Sequence, residues 1–433
     1  MPSSGASILQ QDPSSHGLWA RSAAASPSTE PLAGTVDADV GVVGAGFTGL
    51  SAALRLAQQG ASVAVLEAGD IGFGASGRNA GLVNAGLWQS PREIVQRLGE
   101  DYGNRLMTLL GDAPARVFEL IEKHEMQCEL GRAGTLHCAH SRAGFEDLRL
   151  RAEDWAARGA PVELLHREAA AEKIGSDHFH GALLDRRAGT VQPLGYARGL
   201  AVAAIQTGAR IFTRTPVRSL VWRDGRWRAR SDRGTASSRS VILATNAYTE
   251  AVAPIARCVV PFSFFQLATP PLPKEMRETI LPGGHGAWDT AKILTSLRLD
   301  GEGRLIVGSI GRLDPGRRGI HASWMRRKTR QMFPQLGSIS FEHGWYGTIG
   351  TTGDHLPRIS QPEEGVIAVY GYNGRGIGPG TVFGRVLADY VLSDGSGELP
   401  LPLTPMTPEP MRWLRALGIE AGVRAHHFVS SRF

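Results

Sequence analysis

A chain of 433 residues, 42% hydrophobic and 20% charged, is too long for one compact core and suits two ordinary globular domains, separate or interleaved. Three cysteines, Cys128, Cys138 and Cys258, argue against a disulfide framework and fit a reducing cytoplasm, and no apolar run approaches the ~20 residues that span a bilayer. The net charge of +6 rests on arginine, since only Lys123, Lys173, Lys274, Lys292 and Lys328 are lysine; the arginines are spread along the chain with acids beside most of them, so no nucleic-acid surface is expected.

Residues 1–36 are rich in Ser, Ala and Pro and lack a basic stretch followed by an apolar one. They read as an irregular arm on the surface rather than as a secretory signal.

Residues 38–69 carry the first strong pattern, ADVGVVGAGFTGLSAALRLAQQGASVAVLEAG. Val40–Val43 predicts a buried parallel strand, Leu50, Ala53, Leu54 and Leu56 the apolar face of a helix ending near Gly60, and Ser62–Leu66 a second strand. Between the first strand and the helix lies Gly44-Ala45-Gly46-Phe47-Thr48-Gly49. Gly44 permits the tight turn, Gly46 lets backbone approach a diphosphate, and Gly49 lets helix and strand pack closely. The helix start adds unpaired N–H groups and a positive dipole end. Glu67, at the end of the second strand, can accept from both ribose hydroxyls and would repel a 2′-phosphate, which argues against NADP.

The loop that follows, 68–86, has glycine and asparagine but no helical period. Ser76, Arg78 and Asn79 supply donors, while Gly74, Gly77 and Gly81 let backbone lie against a flat ring, with Ala80 as a further cofactor contact. Ser76 is not a hydrolase nucleophile, because Gly74-Ala75-Ser76-Gly77-Arg78 lacks the last glycine of that motif. Cys128, His137, Cys138 and His140 match no closed zinc spacing and read as a hairpin, so no metal is expected. Residues 210–231 predict three short strands with a turn at Asp224-Gly225, and Val217 stands where it could cover an adenine. The strand in SVILATNAYT, 240–249, delivers Thr245 and Asn246 to the crevice at its carboxyl end.

From 256 to 350 alternating patterns at 262–269, 304–310 and 345–352 predict an antiparallel sheet in a separate layer. Then comes a second strand–glycine loop–helix unit: Val366–Tyr370, Gly371–Gly380 and a helix over Thr381–Leu392. Its helix start, with Gly374, Arg375, Gly376 and Ile377, has no diphosphate left to hold. A reduced isoalloxazine carries negative charge at its pyrimidine edge, and a helix N-terminus aimed there stabilises it. The pair of loops therefore predicts FAD rather than NAD. In the tail, Met411, Leu414, Leu417 and Ala421 predict one apolar face of a short helix flanked by Arg412, Arg415 and Arg424. That face is expected to pack back on the protein or on a partner subunit, with an anionic membrane surface as the alternative.

Taken together, DVGVVGAGFTGLSAALRLAQQGASVAVLEAG, GFGASGRNAG, ILATNAYT, RLIVGSIG, WYGTIGTTGDHLPRI and GYNGRGIGPGTVFGRVLAD resemble the FAD-dependent amine oxidoreductases of the D-amino-acid oxidase/glycine oxidase superfamily, from about residue 37 to 395. GRNAGLVNAGLW and WYGTIG…DHLPR are most similar to its γ-glutamylputrescine oxidase-like branch, and within it to bacterial L-pipecolate oxidases. The resemblance implies an α/β fold: a Rossmann-like, doubly wound FAD-binding domain (37–88, 160–255 and 345–398) interleaved with an α+β substrate domain on an antiparallel sheet (89–159 and 256–344). It also implies FAD contacts at the positions above, held noncovalently because no cysteine follows Cys258. Tyr248, Gln266, Trp288, Arg298 and Tyr346 become candidates for the substrate wall. Arg298 or Arg375 would take a substrate carboxylate, and Lys292 would lend charge to oxygen activation. The implied reaction moves a hydride from a carbon next to an amine nitrogen to the flavin, giving an imine. L-pipecolate in lysine catabolism is the first substrate expected and γ-glutamylputrescine or another polyamine derivative the second. Oxygen or a respiratory quinone would accept the electrons, in the cytoplasm or at the inner face of the membrane. The reading of another class is a non-catalytic nucleotide or nucleic-acid binding module.

Overall fold

A computed structural model describes residues 16–248, 254–313 and 318–430. Its centre is a six-stranded sheet in the order Arg358–Glu363, Val366–Tyr370, Ser240–Leu243, Val40–Val43, Val63–Leu66, Arg210–Phe212. Every pairing is parallel except the first. The four residues of Val40–Val43 and of Val63–Leu66 are all buried, as apolar runs covered on both faces must be. Helix Phe47–Gln58 packs between helices Pro193–Gln206 and Ile377–Leu392 on one face of this sheet.

A second sheet has eight strands: His343–Thr351, Val260–Pro271, Arg304–Ile310, Thr295–Leu299, Gly286–Asp289, Thr135–Cys138, Gly181–Asp185 and Val162–His166. All its pairings are antiparallel except that of Gly286–Asp289 with Thr135–Cys138. The fold is therefore mixed α/β, with a mainly parallel sheet beside a mainly antiparallel one. Five segments differ from the expected partition. Val162–His166, Gly181–Asp185 and, from residue 345 onward, His343–Thr351, expected with the nucleotide part, hydrogen-bond into the eight-stranded sheet. Helices Pro91–Gly111 and Ala113–Lys123, expected with the substrate part, bury Ile94, Leu106, Val117 and Ile121 in the core around Phe47–Gln58. The chain crosses between layers more often than composition reveals.

A small sheet carries Ser219–Arg223 and Arg226–Arg230, joined at Asp224 (φ 52°) and Gly225 (φ 72°), the two positive angles that a two-residue hairpin turn needs. The expected hairpin at 128–140 is absent. Thr135–Cys138 instead lies between Gly181–Asp185 and Gly286–Asp289, with His137 and Cys138 on opposite faces.

Of the expected irregular arm, 1–15 lie outside the described residues. From His16 onward it is built in. Trp19 is fully buried in a five-residue helix, Leu18–Ser22, and packs edge-on against Trp345. Gly34–Asp37 is the edge strand of the small sheet, paired in parallel with Gly234–Ser238.

The tail helix exists, Arg412–Val429, but it is turned over. It buries Ala416, Val423 and His427, and leaves Leu414 66% and Leu417 64% exposed. The stronger apolar periodicity faces outward, because the inner face is closed by His427 stacked on Trp324 and by the His321–His427 contact.

Candidate active site

The two glycine loops open into one cavity of about 1160 Å³ between the sheets. The backbone of the first loop is packed to its limit. A Cβ on Gly49 would lie 1.9 Å from the Gly44 carbonyl oxygen, and one on Gly46 would lie 2.8 Å from Ser76 Oγ. Gly44 has φ 105°, a conformation that side chains rarely adopt. Its N–H bonds the Leu66 carbonyl, and Ser76 Oγ accepts from Phe47 N at the helix start. Glu67 lines the cavity and is held by the N–H groups of Ala45 (2.7 Å) and Gly69 (2.8 Å); burial raises its pKa. Val217 lies beside it in the same wall.

The second helix, Ile377–Leu392, begins against the first. A Cβ on Gly384 would meet the Thr48 carbonyl oxygen at 2.4 Å, so only glycine allows this approach. Ser51 Oγ donates to the Thr381 carbonyl, and the hydroxyls of Thr48 and Tyr372 meet at 2.8 Å. Two helix starts more than three hundred residues apart thus border one space, which Gly44, Gly46, Phe47, Thr48, Gly374, Arg375, Gly376 and Ile377 all line. Such a cradle fits a molecule with a diphosphate at one end and an electron-rich ring edge at the other.

Other expected residues divide. Ser76, Asn79, Ala80, Thr245 and Asn246 line the cavity; Gly49, Gly77, Arg78 and Gly81 do not. Arg78 is buried behind the wall, where its guanidinium donates to the Phe73 and Tyr346 carbonyls. Asn79 shapes the loop, donating to the Ala75 and Ser76 carbonyls and accepting from Gly81 N. Asn246 (φ 44°) accepts from Gly371 N and so ties the second loop to the strand end at Leu243.

On the substrate side, Tyr248, Gln266, Trp288 and Lys292 line the cavity, with Lys292 exposed at its rim. Tyr248 OH accepts from Thr348 N. Gln266 Oε1 is buried without a partner, and its amide fills the space that a side chain at Gly308 would take. Tyr346 and Arg298 are not in the cavity. Tyr346 pairs with Phe265, whose ring packs against His321 on the opposite face of the sheet, so strand alternation turns Tyr346 away. Arg298 is on the cavity face but one pleat too far along, beneath Trp19. It donates to the Val191 and Gly81 carbonyls and lies 3.7 Å from Glu129.

The residues that complete this wall are Trp88, His137 and Arg151, which sequence reasoning missed. Arg375 is held between the rings of Trp88 and Trp288, 4.6 Å from each, and donates to the Ala85 carbonyl. His137 stacks on Trp288 with ring centroids 3.4 Å apart. Burial, with Arg151 and Arg375 nearby, holds its pKa well below the usual imidazole range, so the ring is neutral. Burial also pulls Arg375 down to about 9, and Arg151 adds to the effect. Arg151, likewise buried, has a distant acid in Asp147 at 3.9 Å. The Nε atoms of both arginines lack partners. Asp147, Glu93 and Asp154 act on Arg151, and Asp185 acts on Arg375, but none comes closer than the 3.9 Å of Asp147, so the two guanidinium groups make this wall a receptor for an anion. No signal in the sequence joins 88, 137, 151, 288 and 375; only the crossing of the chain does. Among the described residues no three His, Cys, Asp or Glu side chains gather to hold a metal.

A family model described as FAD dependent oxidoreductase matches residues 39–390. The chain is 31% identical over 370 residues to a probable oxidoreductase OrdL of Haemophilus influenzae, covering 84% of this chain and 85% of that one. It is 30% identical over 368 residues to the gamma-glutamylputrescine oxidoreductase of Escherichia coli, with 83% and 85% covered. The glycine oxidase structure from Geobacillus kaustophilus superposes with a TM-score of 0.71 at 21% identity, over 86% of this chain and 99% of that one.

Proposed function

Since the chain belongs to the family of FAD-dependent oxidoreductases acting on amines and amino acids, we propose that its substrate is an amine that also carries a carboxylate. The observation that carries this is the pair of buried guanidinium groups, Arg151 and Arg375, on the same cavity as both glycine loops. Gly44–Thr48 would hold the FAD diphosphate, Glu67 its ribose, Val217 its adenine and Gly374–Ile377 its redox ring, noncovalently, since no cysteine lines the cavity among the described residues. Bound there, the flavin supplies a hydride acceptor for the carbon beside the amine nitrogen.

The chain's own residues do the rest. Arg375, fixed between Trp88 and Trp288, orients the carboxylate. Trp88, Trp288, Phe264 and neutral His137 exclude water, and this burial favours the neutral amine that the reaction requires. Gln266 Oε1, unpartnered and facing the same space, can accept from the substrate N–H.

A γ-glutamylated amine such as γ-glutamylputrescine is the first substrate proposed, by similarity to the relative of that activity. L-pipecolate, a cyclic amine that carries a carboxylate, is the second. Anaerobic mixing with γ-glutamylputrescine, L-pipecolate, glycine and putrescine, followed by flavin absorbance, tests the reading. Bleaching by carboxylate-bearing amines alone supports it; equal bleaching by putrescine refutes it. Reoxidation under air or by a soluble quinone then identifies the acceptor.

A further inference from the structure

The C-terminal helix is apolar on two sides. At 100° per residue, Ala416, Val423 and His427 fall on the inner side, while Leu414, Leu417, Ala421 and Ala425 fall opposite, all exposed. Added Cβ atoms at Gly418 and Gly422, on the same outer side, would meet nothing within 4 Å. The one acid of the helix, Glu420, is turned inward and accepts from Ser263 N. The basic side chains stand at the borders: Arg424 on one edge, His426 and Arg415, the latter paired with Glu409 at 2.6 Å, on the other, and Arg412 over the ring of Trp413, itself 63% exposed.

We propose that this face docks on an anionic lipid bilayer surface, the helix lying in the headgroup plane. Two arguments select that occupant over a second copy of the chain. Eighteen residues make a strip about 27 Å long and about 10 Å wide, roughly 270 Å², a third of the ~800 Å² that each partner of a stable dimer buries. Two such strips would also bring basic borders together, whereas anionic headgroups complement them and the chain's net charge of +6. Exposed Trp413 at the start of the helix suits the water–lipid boundary. Among the described residues no helix is long and apolar enough to cross the membrane, so the attachment is peripheral. The helix covers the back of strand Val260–Pro271, with Phe265 on its side and Phe262, Phe264 and Gln266 on the cavity side. Docking therefore seats the cavity about one helix and one sheet layer, ~20 Å, from the bilayer.

Co-sedimentation of the holoenzyme with vesicles of phosphatidylcholine, alone or mixed with phosphatidylglycerol, tests this. The protein is expected to sediment with the mixed vesicles only, and added salt should release it. Leu414→Glu with Leu417→Glu should weaken binding about a hundredfold or more, as withdrawing two leucines from an apolar medium implies, with flavin content unchanged. Arg424→Glu should weaken it less. Failure to sediment, equal binding to neutral vesicles, or a double variant that binds like the parent overturns the proposal. So does a dimer by light scattering that the double variant dissolves, which would assign the face to a second copy.

Discussion

The two walls of the cavity are built differently. On the side of the six-stranded sheet, backbone faces the cavity: Gly44, Gly46, Gly374 and Gly376 line it, and the helices behind them touch through Gly380 and Gly384. On the side of the eight-stranded sheet, side chains face it, each from a separate segment: Trp88, His137, Arg151, Gln266 and Trp288. A wall of backbone is set by close packing, so volume added there acts on folding and flavin together. A wall of side chains can change its ligand while the strands stay as they are.

The first of four ways to break this contrast is Gly49→Ala. The new Cβ would sit 1.9 Å from the Gly44 carbonyl oxygen, backbone against backbone, and no flexible side chain can yield. We expect a loss of about 3 kcal/mol or more of stability and a preparation nearly without flavin, read from the melting temperature and the visible spectrum. A variant that keeps both would mean that the loop is slack and that the first wall is not set by packing.

The two buried arginines of the other region sharpen the contrast. Arg375→Met should leave the fold intact and lower kcat/KM for a carboxylate-bearing amine about a hundredfold, mostly through KM. Arg298→Met should do the reverse. Its guanidinium serves Glu129 and the Val191 and Gly81 carbonyls, so about 2 kcal/mol of stability should go while KM stays. If Arg298→Met raised KM and Arg375→Met did not, the assignment of the anion receptor would be reversed.

This pair also shows how far sequence reaches. The first wall was legible because its parts are adjacent: strand, Gly44–Gly49, helix, strand and Glu67 lie within thirty residues, and Gly371–Gly380 repeats the unit. The Asp224-Gly225 turn was legible for the same reason. The second wall was not. Alternation predicts that Trp345 and Tyr346 face opposite sides but not which side holds the cavity, and Tyr346 was placed on the wrong one. Arg298 is on the right face and is covered by Trp19, from a segment whose composition predicts no structure. Trp88, His137 and Arg151 come from segments with no shared period. Their meeting depends on Pro91–Gly111 packing with the nucleotide core and on Thr135–Cys138 inserting beside Gly286–Asp289.

The N-terminal segment supplies the third prediction. His16 donates to the Gly72 carbonyl and holds this segment on the loop that precedes Ser76. Burial, aided by Arg78 and Arg198, lowers its pKa to about 4 from 6.5, against a weaker raising pull from Gly72 and Asp70. Between those values the unfolded chain binds more protons than the folded one, so stability falls as pH drops from about 6.5 towards 4 and levels off below. From pH 6.5 to 5 the loss should be about 2 kcal/mol. His16→Gln, which cannot titrate, should make that part of the melting-temperature profile shallower, while His178, also lowered to about 4 chiefly by burial, keeps part of the slope. His427, lowered to about 3 chiefly by burial, adds a slope of the same sign, which the variant retains.

The smallest effect is expected where the two loops meet by side chains alone. Thr48→Val keeps the shape of the helix start and removes the hydroxyl that pairs with Tyr372 OH at 2.8 Å. Burial raises the pKa of Tyr372, so its phenol stays protonated, and in the variant it loses its side-chain partner at the edge of the cavity. That costs about 1–2 kcal/mol. If the pair only closes the core, the loss appears in the melting temperature of the flavin-free and flavin-bound protein alike. If it sets the distance between the helix starts, the flavin-bound form loses more, and flavin dissociates up to about tenfold more readily. Van der Waals contact at Gly380 and Gly384 already fixes that distance through the backbone, so the first outcome is the one expected. A large loss of flavin would show that the backbone contact needs the hydroxyl pair to hold it.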